Sequence, residues 1–105
     1  MIGIIVAMKK EAQLFIDKME NKKELSYLGK LCYTGSFNGK DCFLIISGIG
    51  KVNSAICTQF LIDNCKPEYI LNFGTTGGLD KNMKVGEIYI VKKAMQFEVM
   101  CSIVM

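Results

Sequence analysis

The chain is 105 residues long, half of them hydrophobic, with 13 basic against 10 acidic residues and a formal charge of +3. That length fits one domain, and the mild positive balance falls well short of the concentrated basic face of a nucleic-acid binder. Every basic residue is a lysine, and histidine and tryptophan are absent, which excludes a His-based triad, a His-ligated metal and a bidentate guanidinium clamp on phosphate.

Met1 to Ala7 form a continuous apolar run rich in β-branched residues, the pattern of a strand buried on both faces. The run has no basic leader, is cut off by Lys9-Lys10-Glu11 and is too short to span a bilayer; a soluble, cytoplasmic protein is expected. From Met8 to about Asn21 the period changes. Met8, Ala12, Phe15 and Met19 recur every three or four residues, with Leu14 and Ile16 broadening the stripe, as in an amphipathic helix.

Three strand candidates follow at Leu25–Leu28, Leu31–Phe37 and Asp41–Ser47, separated by Gly29-Lys30 and by Asn38-Gly39, a strong hairpin signal. Ser47-Gly48-Ile49-Gly50 ends the third run. Val52, Ala55, Ile56, Gln59, Phe60 and Ile62 then fall at helical spacing until Asn64 to Pro67, where proline cannot continue a helix. Glu68–Phe73 reads as another strand, Asp80–Lys84 as a turn and Gly86–Lys92 as one more strand. The order β-α-β-β-β-α-β-β predicts an α/β fold: a mixed sheet, parallel at its centre, with flanking helices. Residues 97–105 are apolar to the last, so either they dock as a final strand or the chain stops partway through a larger fold; the second is favoured.

Five cysteines (Cys32, Cys42, Cys57, Cys65, Cys101) without a C-x-x-C pair predict reduced, partly buried thiols. The lysine pairs Lys9-Lys10, Lys22-Lys23 and Lys92-Lys93 read as solvated surface. In open α/β sheets ligands gather beyond the carboxyl ends of parallel strands, and three such ends carry unusual residues. Gly48-Ile49-Gly50-Lys51-Val52-Asn53 fails as a dinucleotide fingerprint, because Asn53 holds the third glycine position, and it fails as a P-loop too. Two glycines permitting a tight turn and close packing are the plainer reading there. Gly74-Thr75-Thr76-Gly77-Gly78 offers backbone N–H groups and two hydroxyls to an anion, a sugar hydroxyl or a base edge, or is a glycine-rich turn with surface threonines. Glu11, in the first turn of a helix, is a solvated helix-start residue, or a general base if partial burial raises its pKa.

Taken together, Ile2-Gly3-Ile4-Ile5-Val6-Ala7-Met8 with Glu11, Tyr33-Thr34-Gly35, Ser47-Gly48-Ile49-Gly50-Lys51-Val52, Cys65-Lys66-Pro67, Asn72 to Leu79 and Val85-Gly86-Glu87-Ile88 stand in one order at one spacing. They resemble the N-terminal portion of the bacterial methylthioadenosine/S-adenosylhomocysteine nucleosidases of the nucleoside phosphorylase superfamily. The resemblance covers residues 1 to about 99, about the first half of such an enzyme. It implies a nucleoside-phosphorylase-like fold present as a single incomplete domain over residues 1–105. It also implies hydrolysis of the adenine–ribose bond of 5′-thio-substituted nucleosides, in methionine salvage and nucleoside catabolism, with no metal or organic cofactor.

By the same resemblance Glu11 matches the glutamate that activates water. Ala7, Met8 and Ile49 match positions lining the ribose and alkylthio region, and Thr75, Thr76 and Gly77 match the loop lining the nucleoside pocket. Phosphorylases of the superfamily hold phosphate with arginines, one of them just upstream of the Gly-Thr-Thr-Gly loop; here Asn72 stands in that place, which favours water over phosphate. The family's purine-protonating acid and ribose-binding carboxylate have no match in this chain, and Met100 stands where a family stretch has aspartate. A non-catalytic adenosine-binding or assembly remnant is the alternative, and a phosphorylase a further one. An exposed sheet edge and helix-facing surface predict a homo-oligomer, at least a dimer.

Overall fold

A computed structural model describes residues 1–94. Its elements are β1 (Ile2–Val6), α1 (Lys9–Lys18), β2 (Glu20–Tyr27), β3 (Lys30–Phe37), β4 (Lys40–Ile46), α2 (Lys51–Cys65) and β5 (Tyr69–Asn72). One five-stranded sheet runs in the order β2-β3-β4-β1-β5. The strands β4, β1 and β5 are mutually parallel, with Ile4 opposite both Leu44 and Leu71, while β2 and β3 are antiparallel additions. This is the mixed, centrally parallel α/β architecture expected from the sequence.

The apolar runs of β1 and β4 are continuous because the sheet is covered on both sides. Ile4, Val6, Cys42 and Leu44 point to one face and pack with Ala12, Ile16 and Met19 around α1. Ile5, Phe43 and Ile45 point to the other and pack with Cys32 and with Cys57 and Leu61 of α2. The period of two along a strand makes one sequence serve both layers. Cys32, Cys42, Cys57 and Cys65 are free. Burial pushes their thiols up, Cys32 to about 11, so at neutral pH they are neutral packing groups.

Several details differ from the sequence reading. Helix α1 stops at Lys18, before Asn21, and Lys22 is not merely solvated: its Nζ donates to the Ile16 carbonyl (3.0 Å), a second bond to an acceptor in the helix's last turn that also takes the Met19 N–H. Strand β2 begins at Glu20 rather than Leu25. Its polar Glu-Asn-Lys-Lys-Glu start pairs through the backbone with β3, across a bulge between Glu20 and Lys23, and its charges suit an outer strand. Leu28 joins Gly29 in the hairpin turn at positive φ rather than ending the strand. Leu14 is exposed, as are Val52, Ile56 and Ile62; the buried face of α2 runs through Cys57 and Leu61 instead.

Residues 86–92 form no strand. Among the described residues no strand pairs with them, and Ile88 and Ile90 are almost fully exposed; alternation alone does not make a strand without a neighbouring strand to bond. The expectations for residues 97–105, and for Met100 and Cys101 within them, lie outside the described residues. No helix among the described residues is long and apolar enough to cross a membrane.

Candidate functional site

Because β4, β1 and β5 are adjacent and parallel, their carboxyl ends open side by side, and the segments that follow them meet. The Ser47 and Gly48 N–H groups donate to the Val6 and Ala7 carbonyls (2.9 and 3.1 Å), and the Phe73 N–H donates to the Ile5 carbonyl (3.2 Å). Thus Ala7-Met8 lies between the Ser47–Gly50 turn on one side and the Phe73–Gly77 segment on the other. All three candidate segments share one sheet edge.

Glu11 is the third residue of α1, where the helix N-terminus favours a negative charge. Its Oε2 accepts two hydrogen bonds from one residue of the β5 loop, the Thr75 N–H at 2.7 Å and the Thr75 hydroxyl at 3.1 Å. Gly74 makes this approach possible, since a Cβ there would lie 2.7 Å from the same oxygen. The carboxyl is held below its ordinary value, first by the Thr75 N–H; burial, the next largest effect, opposes this, and the Thr75 hydroxyl, the Met8 backbone and the Lys10 charge add to the lowering. A general base with a raised pKa is therefore not what forms here; donors outweigh desolvation, and Glu11 is an ionised acceptor at neutral pH.

Ala7 is half-buried, while Met8, Ile49, Thr75, Thr76 and Gly77 are exposed. The space that a Cβ on Gly77 would enter is open, and Ile49 projects from its turn with 74 % of its surface free. The structure joins Glu11 to Thr75 directly and ties the turn bearing Ile49 to Ala7. It gives Thr76 and Gly77 a place on the same edge without a bond to the others. Among the described residues no group of three or more Cys, Asp or Glu is placed to hold a metal ion.

Two residues at this edge went unremarked or misread in the sequence. Asn53, noted only as an interruption of a glycine pattern, accepts a hydrogen bond from Lys30 Nζ at its Oδ1 (2.9 Å) and donates from Nδ2 to the Ile49 carbonyl (2.9 Å). Lys30 lies 23 residues away, and only the β3–β4–β1 pairing brings it there. Its sequence neighbourhood carries no signal of this.

A mixed sheet whose parallel strand β1 leads into a helix carrying a carboxylate that faces a Gly-Thr-Thr-Gly turn matches a known class. The family model described as the phosphorylase superfamily covers residues 1–104, and the chain belongs to that superfamily.

Within it, the chain is similar to the 5′-methylthioadenosine/S-adenosylhomocysteine nucleosidase of Neisseria meningitidis, solved with methylthio-immucillin-A: 40 % identity over 82 % of this chain and 37 % of that one, TM-score 0.77. The nucleosidase of Colwellia psychrerythraea in complex with adenine is 37 % identical over 82 % and 36 %, TM-score 0.77. That of S. pneumoniae, with a transition-state inhibitor, is 34 % identical over 81 % and 37 %, TM-score 0.77. The chain thus spans little more than a third of the length of these relatives.

Proposed function

We propose that the edge formed by Ala7–Glu11, Ser47–Gly50 and Gly74–Gly78 is part of a purine nucleosidase site that takes 5′-thio-substituted adenine nucleosides. The observation that carries this reading is the pair of bonds from Thr75 to Glu11, which holds an ionised carboxylate against a hydroxyl-bearing glycine turn. In this role Glu11 orients a water and takes its proton as the water oxygen bonds to the anomeric carbon. The adenine–ribose bond breaks, and adenine leaves with a proton from a separate acid, a division expected of general acid–base catalysis. Ala7, Met8 and Ile49 line the ribose and 5′-substituent, and Thr75, Thr76 and Gly77 hold the nucleoside; these assignments rest on the resemblance and on the solved relatives' ligands. Water rather than phosphate is the nucleophile, since the chain has no arginine to grip phosphate and Asn72 precedes the turn.

Adenine release from methylthioadenosine tests this. Glu11→Gln is expected to lower the rate about 10²-fold or more; equal rates in the two proteins remove Glu11 from the role. A second reading, nucleoside binding without turnover, is favoured by the openness of the edge, where Thr75, Thr76 and Gly77 are all exposed. Calorimetric binding of methylthioadenosine by a folded sample that releases no adenine would establish it. For assembly, the exposed apolar residues Val52, Ile56 and Ile62 support a homo-oligomer in which subunits cover one another.

A further inference from the structure

We infer that Lys30 and Asn53 are positioning residues that brace the Ile49 turn and thereby set the preference for an apolar 5′-substituent on the nucleoside. The Ser47–Gly50 segment contains two glycines at positive φ, 84° at Gly48 and 107° at Gly50. Such a backbone has many conformations open to it, and one side chain would have to be held against that freedom. Its first half is held to β1 by the Ser47 and Gly48 N–H groups. Its second half, which carries Ile49, is held by a two-bond relay: Lys30 Nζ to Asn53 Oδ1, and Asn53 Nδ2 to the Ile49 carbonyl, each 2.9 Å.

The relay also lies over the turn. A Cβ added to Gly48 would meet Asn53 Nδ2 at 3.3 Å and Lys30 Nζ at 3.5 Å, so the two side chains close one side of the backbone. Helix α2 has no side-chain cap at Gly50, and Asn53 works instead on the residue before it. Lys30 is the first residue of β3, a rigid, paired strand, and its bond to Asn53 is partly buried, where a hydrogen bond is less diluted by water. The ammonium therefore fixes which way the amide faces, and the amide fixes Ile49. Neither residue need touch substrate.

The inference rests on the nucleosidase reading for its ligand but not for the brace itself, and two measurements separate them. The first is hydrogen exchange at the Gly48 amide, which is bonded to the Ala7 carbonyl. Asn53→Ala and Lys30→Met are each expected to speed it about fivefold, the scale of one net hydrogen bond, and Lys30→Arg to restore it. Unchanged exchange in both variants overturns the brace. The second is the ratio of affinities for methylthioadenosine and adenosine, which differ only at the 5′ position. Asn53→Ala and Lys30→Met are expected to lower that ratio about fivefold, the double variant no further, and Lys30→Arg to recover it. Equal weakening of both nucleosides, or an unchanged ratio beside faster exchange, overturns the specificity role. If the unsubstituted chain binds neither nucleoside, the nucleosidase reading fails and takes the ligand with it, while Gly48 exchange still decides the brace.

Discussion

Helix α1 places all its apolar residues but Leu14 toward the sheet, whereas α2 carries them on two sides. Ala12, Ile16 and Met19 of the α1 layer are buried together. In α2 the buried pair Cys57 and Leu61 looks at the sheet, and Val52, Ile56 and Ile62 look outward. A helix with two apolar faces defeats a reading that counts apolar residues at helical spacing, because the outer set satisfies the template as well as the inner one. The difference also says where each helix draws its stability within the chain: both from the face packed on the sheet, with a second apolar set of α2 left exposed.

The largest expected effect sets the two faces of α2 against each other. Leu61 is fully buried, so Leu61→Ala is expected to lower the unfolding free energy by about 2–5 kcal/mol. Ile56→Lys, on the outer face, is expected to change the stability of the dilute chain by no more than about 0.5 kcal/mol. Sedimentation at micromolar concentration then separates an idle face from an interface. The unsubstituted chain is expected to form a dimer or larger assembly, and Ile56→Lys to shift it toward monomer. A stable, folded monomer in the unsubstituted protein would overturn the assembly proposal.

A smaller effect lies at the helix ends. Helix α1 ends on Met19 in an extended conformation, its N–H bonded to the Ile16 carbonyl. Helix α2 ends on Lys66 in the left-handed region, φ 45° and ψ 55°, where a side chain is strained by about 1–2 kcal/mol relative to glycine. Part of the relief from Lys66→Gly is offset by the greater freedom of glycine in the unfolded chain. A net stabilisation of about 0.5–1 kcal/mol is expected, read as a higher thermal midpoint. The equivalent Met19→Gly has no strain to relieve and is expected to destabilise.

The same contrast explains what the sequence made legible. β1 and β4 were readable because burial on both faces leaves an unbroken apolar run, and the turn between β3 and β4 because Asn38 and Gly39 both take positive φ. β2 was half-hidden because its first residues are exposed and polar and owe their conformation to the backbone of β3. Residues 86–92 alternate like a strand yet stand exposed, because pairing is a property of two segments. At the site, Glu11 and the Gly74–Gly78 turn were visible as unusual residue types at strand ends. The direction of the Glu11 shift was not, since it depends on Thr75, 64 residues away, and Lys30 reaches Asn53 only through the sheet.

Each helix ties its third residue across the sheet edge, α1 through Glu11 to Thr75 and α2 through Asn53 to Lys30, but only the first tie is built on a carboxylate. The Glu11 carboxyl is lowered from its ordinary 4.5 by the Thr75 N–H first and by the Thr75 hydroxyl in addition. A carboxyl with a depressed folded pKa contributes stability that is present above its unfolded value and is lost as pH falls through the folded one. Thr75→Val removes the hydroxyl and keeps the N–H. Its expected effect is a Glu11 pKa that rises partway back toward 4.5, followed by carbon-detected NMR of the side-chain carboxyl. The stability difference between the two proteins should hold above that pH and shrink in more acidic solution, where Glu11 is protonated in both. Asn53→Ala, which removes a neutral amide, is expected to show no such acid limb. A Glu11 titration unmoved by Thr75→Val would mean that the N–H alone holds the carboxylate, and that the hydroxyl is free to face a ligand.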